Sequence, residues 1–369
     1  MIYLDNAATT KPNEQAVQFA LKFVEDYFNP SALYKQGIKL KSFLSEAAEY
    51  ITKTIAPYGY ECVFTSCGSE ADNTAIFSSA KRGNAITTSG EHAAVYEPFL
   101  ALKQRGVETR FAPLNKDGSV NVEQLLSLVD DKTTFVSVVH VNNETGAIND
   151  INAISRKIKE KNPKVIFHSD GVQAYGKIPF TLSDTVDYYS ISAHKIGAMK
   201  GTGALIKKKN VCLHPLIYGG GQENGMRSGT ENVFGIACFY KAAQLKYAEI
   251  ESNFEKVKAL KKTFTDKIEN VRILSEENAS PYIISLSAEG LKGEVLQHIL
   301  EENGVITGTG SACSSRNHFS RVLKECGYSS STLEGVLRVS FTSDTTKEEV
   351  DFAVDAINSA VQNLRKIMK

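Results

Sequence analysis

Lys195 carries the clearest chemical potential in this sequence. It follows the strand-like run "DYYSISA" (187–193), with His194 before it and a glycine-rich return after it, in "SISAHKIGAMKGTGAL". An amine beside a buried sheet edge loses hydration, which disfavours its charged form and lowers its pKa. A neutral amine is a nucleophile that condenses with an aldehyde. The plainer alternative is a lysine that lays its methylenes along apolar surface and keeps its head in water.

Other polar groups recur at matching places. The run "ECVFTS" (61–66) leads into "CGSEADN", where Gly68 and Ser69 open a helix. Unpaired N–H groups and a hydroxyl there can hold a phosphate, and the same residues also make an ordinary helix cap. "NAITTS" (84–89) leads to His92, a flat ring or simply a polar residue at a helix start. "TTFVSVVHV" (133–141) leads to Asn143, and "KVIFHSD" (164–170) ends on Asp170 with Gln173 close behind. Asp170 suits a partner for a protonated ring nitrogen, and equally a turn aspartate; Asn143 and Gln173 are generic when taken singly. Together they match the needs of pyridoxal phosphate: a Schiff-base lysine, a carboxylate at the pyridine nitrogen and a phosphate cradle. A ring stacked on the cofactor and a donor to its 3-oxygen complete the set.

The elements that must position these groups alternate strand with helix from 61 to 170, and a further strand follows at 187–193. That order needs crossover connections and predicts a mostly parallel sheet. The apolar runs within 134–139 and 164–168 suit strands covered on both faces. In such sheets ligands gather outside the carboxyl ends of the strands, where every cluster above falls. From about 235 the pattern changes to a long helix over 236–270, broken once or twice. "VRILS", "PYIISLS", a helix at 293–302, a loop at 304–320, a short helix at 332–336, "LRVSF" and a helix at 346–366 follow. This is an α+β pattern. We read 13–250 as a large unit, and 251–369 with 1–12 packed against it as a smaller one.

Composition narrows the function classes. Lys+Arg and Asp+Glu both number 42, so no basic surplus points to direct nucleic-acid binding. No apolar run reaches membrane-spanning length, and "MIYLDNAATT" does not read as a signal peptide. The cysteines are scattered without a CxxC pair, which argues against a metal site or disulfide framework and for a reducing, cytoplasmic setting. No GxGxxG follows the first strand, which removes a nicotinamide-binding reading.

Over nearly its whole length the sequence resembles the cysteine desulfurases, class V enzymes of the fold-type I pyridoxal-phosphate group. "YLDNAATT", "TSCGSEADN", "HVNNETGAI", "HSDGVQAYGK", "SISAHKIGAMKGTGAL", "GGGQENGMRSGTEN" and "GTGSACSS" carry the resemblance, in that order. It implies an α/β fold with a mostly parallel seven-stranded sheet, a smaller α+β domain and a homodimer. It implies that Lys195 binds pyridoxal 5′-phosphate covalently, that Asp170 pairs with the ring nitrogen and that His92 stacks on the ring and relays protons. Asn143 and Gln173 would serve the 3-oxygen side, and Gly68, Ser69, Ser192 and His194 the phosphate. Thr230 would reach the partner subunit's phosphate, and Arg338 would grip the carboxylate of L-cysteine, with Asn29 helping to line that pocket. Cys313, in the small polar loop "TGTGSACSSRNHFS", would take the sulfur and pass it to a protein acceptor, an iron–sulfur scaffold or a tRNA-thiolation enzyme. The alternatives on the same fold are a selenocysteine lyase or a class V aminotransferase. The sequence departs from the family pattern at Ser69, Tyr34 and Asn224, in "SFTSD" after Arg338 and in the segment after Cys313.

Overall fold

The computed structural model describes residues 1–56, 58–309 and 319–367. Strand β1 (Ile2–Tyr3) is short; the main sheet begins with β2 (Tyr60–Thr65) and continues through β3 (Asn84–Thr88), β4 (Glu108–Ala112), β5 (Thr133–Ser137), β6 (Ile166–Asp170), β7 (Tyr188–Ser192) and β8 (Gly203–Lys208). Its order is β2-β8-β7-β6-β5-β3-β4. Neighbours from β7 to β4 are parallel, while β8 runs antiparallel to both β7 and β2. The alternation in the sequence explains most of the parallel part: a helix lies between successive strands from β2 to β6, while β6 and β7 are joined by turns over 171–187 without one. All five residues of β3 and of β7 are buried.

The second sheet takes the strands β9 (Arg272–Ile273), β10 (Ile283–Ser287), β12 (Gly308–Thr309) and β13 (Val336–Ser340), in the order β12-β13-β10-β9. The helix Lys347–Ile367 buries Val350, Ala353, Val354, Ile357, Ala360 and Val361, a spacing of three and four that puts one apolar stripe on one face. Strand β11 (Val305–Ile306) pairs in parallel with β1. Leu4 lies in the same apolar core as Ile284, Leu337 and Val339, so the start of the chain packs with its last third.

Two local differences from the sequence reading have physical reasons. The glycine-rich return after Lys195 leads directly into β8, whose apolar centre Ala204–Ile206 fills the gap between β7 and β2. The apolar run 133–141 is a ladder strand only to Ser137; beyond it Val139 N–H donates to the Glu91 carboxyl (3.0 Å) instead of to β3, which has ended. The long helix breaks once, as expected, at Glu249 (φ −133, ψ 24), giving Val233–Ala248 and Ile250–Lys267. Helices Glu14–Leu21 and Lys35–Lys53 precede the sheet and fall outside the alternating pattern. No described helix is long and apolar enough to cross a membrane.

Candidate active site

The carboxyl ends of β2, β3, β5, β6 and β7 open on one cavity of about 340 Å³. Gly68, Ser69, His92, Asn143, Asp170, Gln173, Ser192, His194, Lys195 and Arg338 all line it. Topology does the gathering: these residues are far apart in sequence, but parallel strands bring their exits to one edge.

Lys195 ends a single 3-10 turn (Ala193–Lys195) directly after β7. Its half-buried amine donates to the carbonyls of Ala7 (2.6 Å) and Ala8 (2.7 Å). The N-terminal segment holds this turn in place. Thr10 donates its hydroxyl to His194 O (2.8 Å) and accepts from Gly197 N–H (2.8 Å), while His194 Nδ1 meets the Thr9 hydroxyl (3.0 Å). Burial, reinforced by Lys195, lowers the His194 pKa to about 4.

Asp170 is the last residue of β6. Its carboxylate accepts from Val172 N–H (2.9 Å) and forms no ion pair among the described residues. Burial first, and then the nearby Asp72 carboxylate, raise its pKa to about 6. A buried carboxylate without a cation is costly, so a protonated ring nitrogen placed beside it would draw it back to its charged form. His92 caps the helix Ala93–Gln104 by accepting Ala94 N–H at Nδ1 (3.1 Å). Its neutral ring therefore carries its proton on Nε2. Burial, with the charges of Lys195, Arg321 and Arg338, outweighs Asp170 and lowers its pKa, so the neutral ring prevails at pH 7.

The phosphate side is built from the helix Gly68–Ser79 and from β7. Ser192 Oγ is buried with no hydrogen-bond partner, a hydroxyl held ready for an acceptor or donor. A Cβ on Gly68 would lie 2.8 Å from Val172 Cγ2, so only glycine leaves the space open. Gln173 donates to Ala7 O (2.8 Å) and accepts from the buried Lys177 amine (2.7 Å), which fixes the orientation of its amide. A lone cation-seeking carboxylate, an unpartnered hydroxyl beside a helix start and an amine held at the rim fit pyridoxal phosphate.

Arg338, on β13, reaches in from the second sheet. It donates through Nη1 to Asn143 O (3.1 Å) and through Nη2 to the Asp5 carboxylate (2.7 Å). Its Nε is buried with no acceptor, so the fork has a donor to spare. Asp5 stands out only in the structure, since its partner lies in another sheet. Gly308 lets the pair approach: a Cβ there would fall 2.7 Å from Asp5 Oδ1 and 3.1 Å from Arg338 Nε. Arg321 was likewise not evident in the sequence. It donates to the carbonyls of Ser89 and, at 2.5 Å, Glu91, and its guanidinium lies 3.7 Å over the Tyr96 ring. It thereby braces the turn that carries His92. Asp72 was missed too; it lines the cavity, and burial raises its pKa to about 7.

Asn29, expected to help line this pocket, is absent from its lining, as is Thr230, which was expected to reach the partner subunit's phosphate instead. Thr230 lines a separate cavity with Arg227 and Glu231. Asn29 is exposed and accepts from Ser31 N–H (2.8 Å). Cys313 lies outside the described residues.

Comparison with known proteins agrees with this geometry. A family model for class-V aminotransferases matches residues 2–352. The cysteine desulfurase of Nostoc sp. is 34% identical over 100% of this chain and 94% of its own. The cysteine desulfurase IscS of Dictyoglomus turgidum is 36% identical over 99% of this chain and 96% of its own. Among solved structures, a NifS-like protein superposes with a TM-score of 0.91 at 33% identity, covering 98% of this chain and 99% of that one. The chain belongs to the class-V aminotransferase family, whose members depend on pyridoxal 5′-phosphate, and the two full-length relatives above are named cysteine desulfurases.

Proposed function

We infer that this protein is a cysteine desulfurase: it takes sulfur from L-cysteine, releases L-alanine and carries the sulfur as a persulfide on Cys313. The observation that carries this reading is the single cavity in which Lys195, Asp170, His92 and Arg338 meet.

Bound pyridoxal phosphate supplies an aldehyde and an electron sink for the pair left when the substrate Cα–H bond breaks. Lys195 would hold that aldehyde and would serve as the base for the substrate Cα proton. Asp170 keeps the ring nitrogen protonated, and Asn143 and Gln173 serve the 3-oxygen. Gly68, Ser69, Ser192 and His194 hold the phosphate, and Thr230 reaches the phosphate of the partner subunit in a homodimer. Arg338 receives the substrate carboxylate as a two-point contact, with Asn29 at the pocket rim. His92, neutral with its proton on Nε2, exchanges a proton at the substrate sulfur. The Cys313 thiolate attacks that sulfur. An S–S bond forms, the C–S bond breaks, and its electron pair stays on the carbon, which takes up a proton. A protein acceptor of the iron–sulfur scaffold or thiolation type then receives the sulfur. The five described cysteines are free thiols, which supports a reducing, cytoplasmic setting. The core under the second sheet draws most of its residues from 251–369 with Leu4 and Ala7, which supports 13–250, and 251–369 with 1–12, as the two structural units.

The purified protein loaded with pyridoxal phosphate and given L-cysteine is expected to release L-alanine, and sulfide when a thiol reductant is present. Cys313→Ala should keep the yellow cofactor and lose transfer to an acceptor. Keto-acid release in place of alanine, or undiminished transfer by Cys313→Ala, contradicts the assignment.

A further inference from the structure

Behind Lys195, on the side away from the cavity described above, lies a second cavity of about 270 Å³. Lys195 lines both. The "SFTSD" segment, where the sequence departs from the family pattern, contributes Phe341–Asp344 to this second cavity rather than to the first. Lys11, Lys177 and Lys246 also line it, from three separate parts of the chain. None of these three amines forms an ion pair among the described residues.

The polar contacts that do exist leave donors available. Lys177 is 5% exposed, and its amine donates to one acceptor, Gln173 Oε1. Lys246 donates to the Ser343 hydroxyl (2.8 Å). The cavity's two carboxylates offset the lysines only in part, with Asp344 attracting Lys246. Glu349 accepts from Thr346 N–H (3.0 Å) at the cap of the helix Lys347–Ile367, and Asp344 is exposed. Burial, then the charges of Lys195 and Lys246, push the Lys177 pKa well down. The charges of Lys195 and Lys246 act against that of Lys177 with only partial counter-charge, and desolvation adds to the cost. A compact anion removes both penalties. The volume suits a small ion rather than a drug-sized ligand, and amines from several directions with neighbouring hydroxyls suit a tetrahedral acceptor set.

We propose that this second cavity binds a small tetrahedral oxyanion of the inorganic phosphate or sulfate class. The site is separate from the phosphate cradle at Gly68 and Ser192, and it does not depend on the reaction assigned to the first cavity.

The test is isothermal titration of the cofactor-loaded protein with inorganic phosphate, against sodium chloride at matched ionic strength. The visible cofactor band is recorded throughout, so that displacement of cofactor from its own cradle is seen. Saturable binding of one phosphate per chain with an unchanged band is expected. Lys246→Met should weaken it at least 10-fold, with kcat/KM in phosphate-free buffer within twofold of wild type. Lys11→Met alters an exposed lysine and is not expected to perturb folding; it should weaken binding about threefold. Sulfate should compete with phosphate, and acetate should bind at least 10-fold more weakly. An absence of saturable binding overturns the proposal. So does a response reproduced by chloride, binding unchanged in both variants, or acetate binding as tightly as phosphate.

Discussion

Arg338→Lys separates a two-point carboxylate grip from a simple positive charge. Arg338 is 6% exposed, with one terminal nitrogen on Asp5 (2.7 Å), the other on Asn143 O (3.1 Å) and a buried Nε without an acceptor. Lysine retains the charge, so Asp5 is not stranded, but it offers a point donor in place of the planar fork. The expected loss is one charge-assisted hydrogen bond to the substrate carboxylate, about 1.5–3 kcal/mol. At about 1.4 kcal/mol per factor of ten, kcat/KM for L-cysteine should fall roughly 10- to 150-fold. The contact exists before and during the reaction, so most of the loss should appear in KM. L-Alanine release across a range of cysteine concentrations gives both constants, and thermal unfolding checks the fold. A kcat/KM within twofold of wild type, or a fall confined to kcat, refutes the assignment of Arg338 to the carboxylate.

Two further perturbations examine the supports of the site. Glu91 is fully buried and accepts from Thr88 Oγ1 (2.8 Å) and Val139 N–H (3.0 Å), and burial raises its pKa to about 8. The fold therefore holds the protonated acid, and this group's contribution to stability is full below the unfolded-state pKa and falls as pH rises toward 8. Glu91→Gln should remove a slope approaching about 1.4 kcal/mol per pH unit between pH 5 and 8; denaturant unfolding at several pH values that finds an unchanged slope contradicts the protonated acid. Gly68→Ala should fold, yet its Cβ would press on Val172 Cγ2 at 2.8 Å and on Ser192 Cβ at 3.3 Å. An overpacking cost of about 1–3 kcal/mol would weaken cofactor binding roughly 5- to 150-fold; wild-type affinity in an absorbance titration removes Gly68 from the cradle.

Lys195, Asp170, His92 and Gly68 were legible in the sequence because each ends or follows a strand, and in a parallel sheet strand ends share an edge. Local pattern therefore determined the alternating α/β architecture and most of the residues around the first cavity. Tertiary structure alone decided the contacts between distant elements. Asp5 and Arg338 are 333 residues apart and meet only because the N-terminal segment folds against the second sheet. Arg321 braces the His92 turn across 230 residues, and no spacing rule connects the two. The place of "SFTSD" also became visible only in the fold, on the far side of Lys195. Periodicity reports the face of an element that is buried, because burial repeats with the helix or strand period. Which charged group a side chain meets depends on how whole elements dock, and that information is spread over the entire chain.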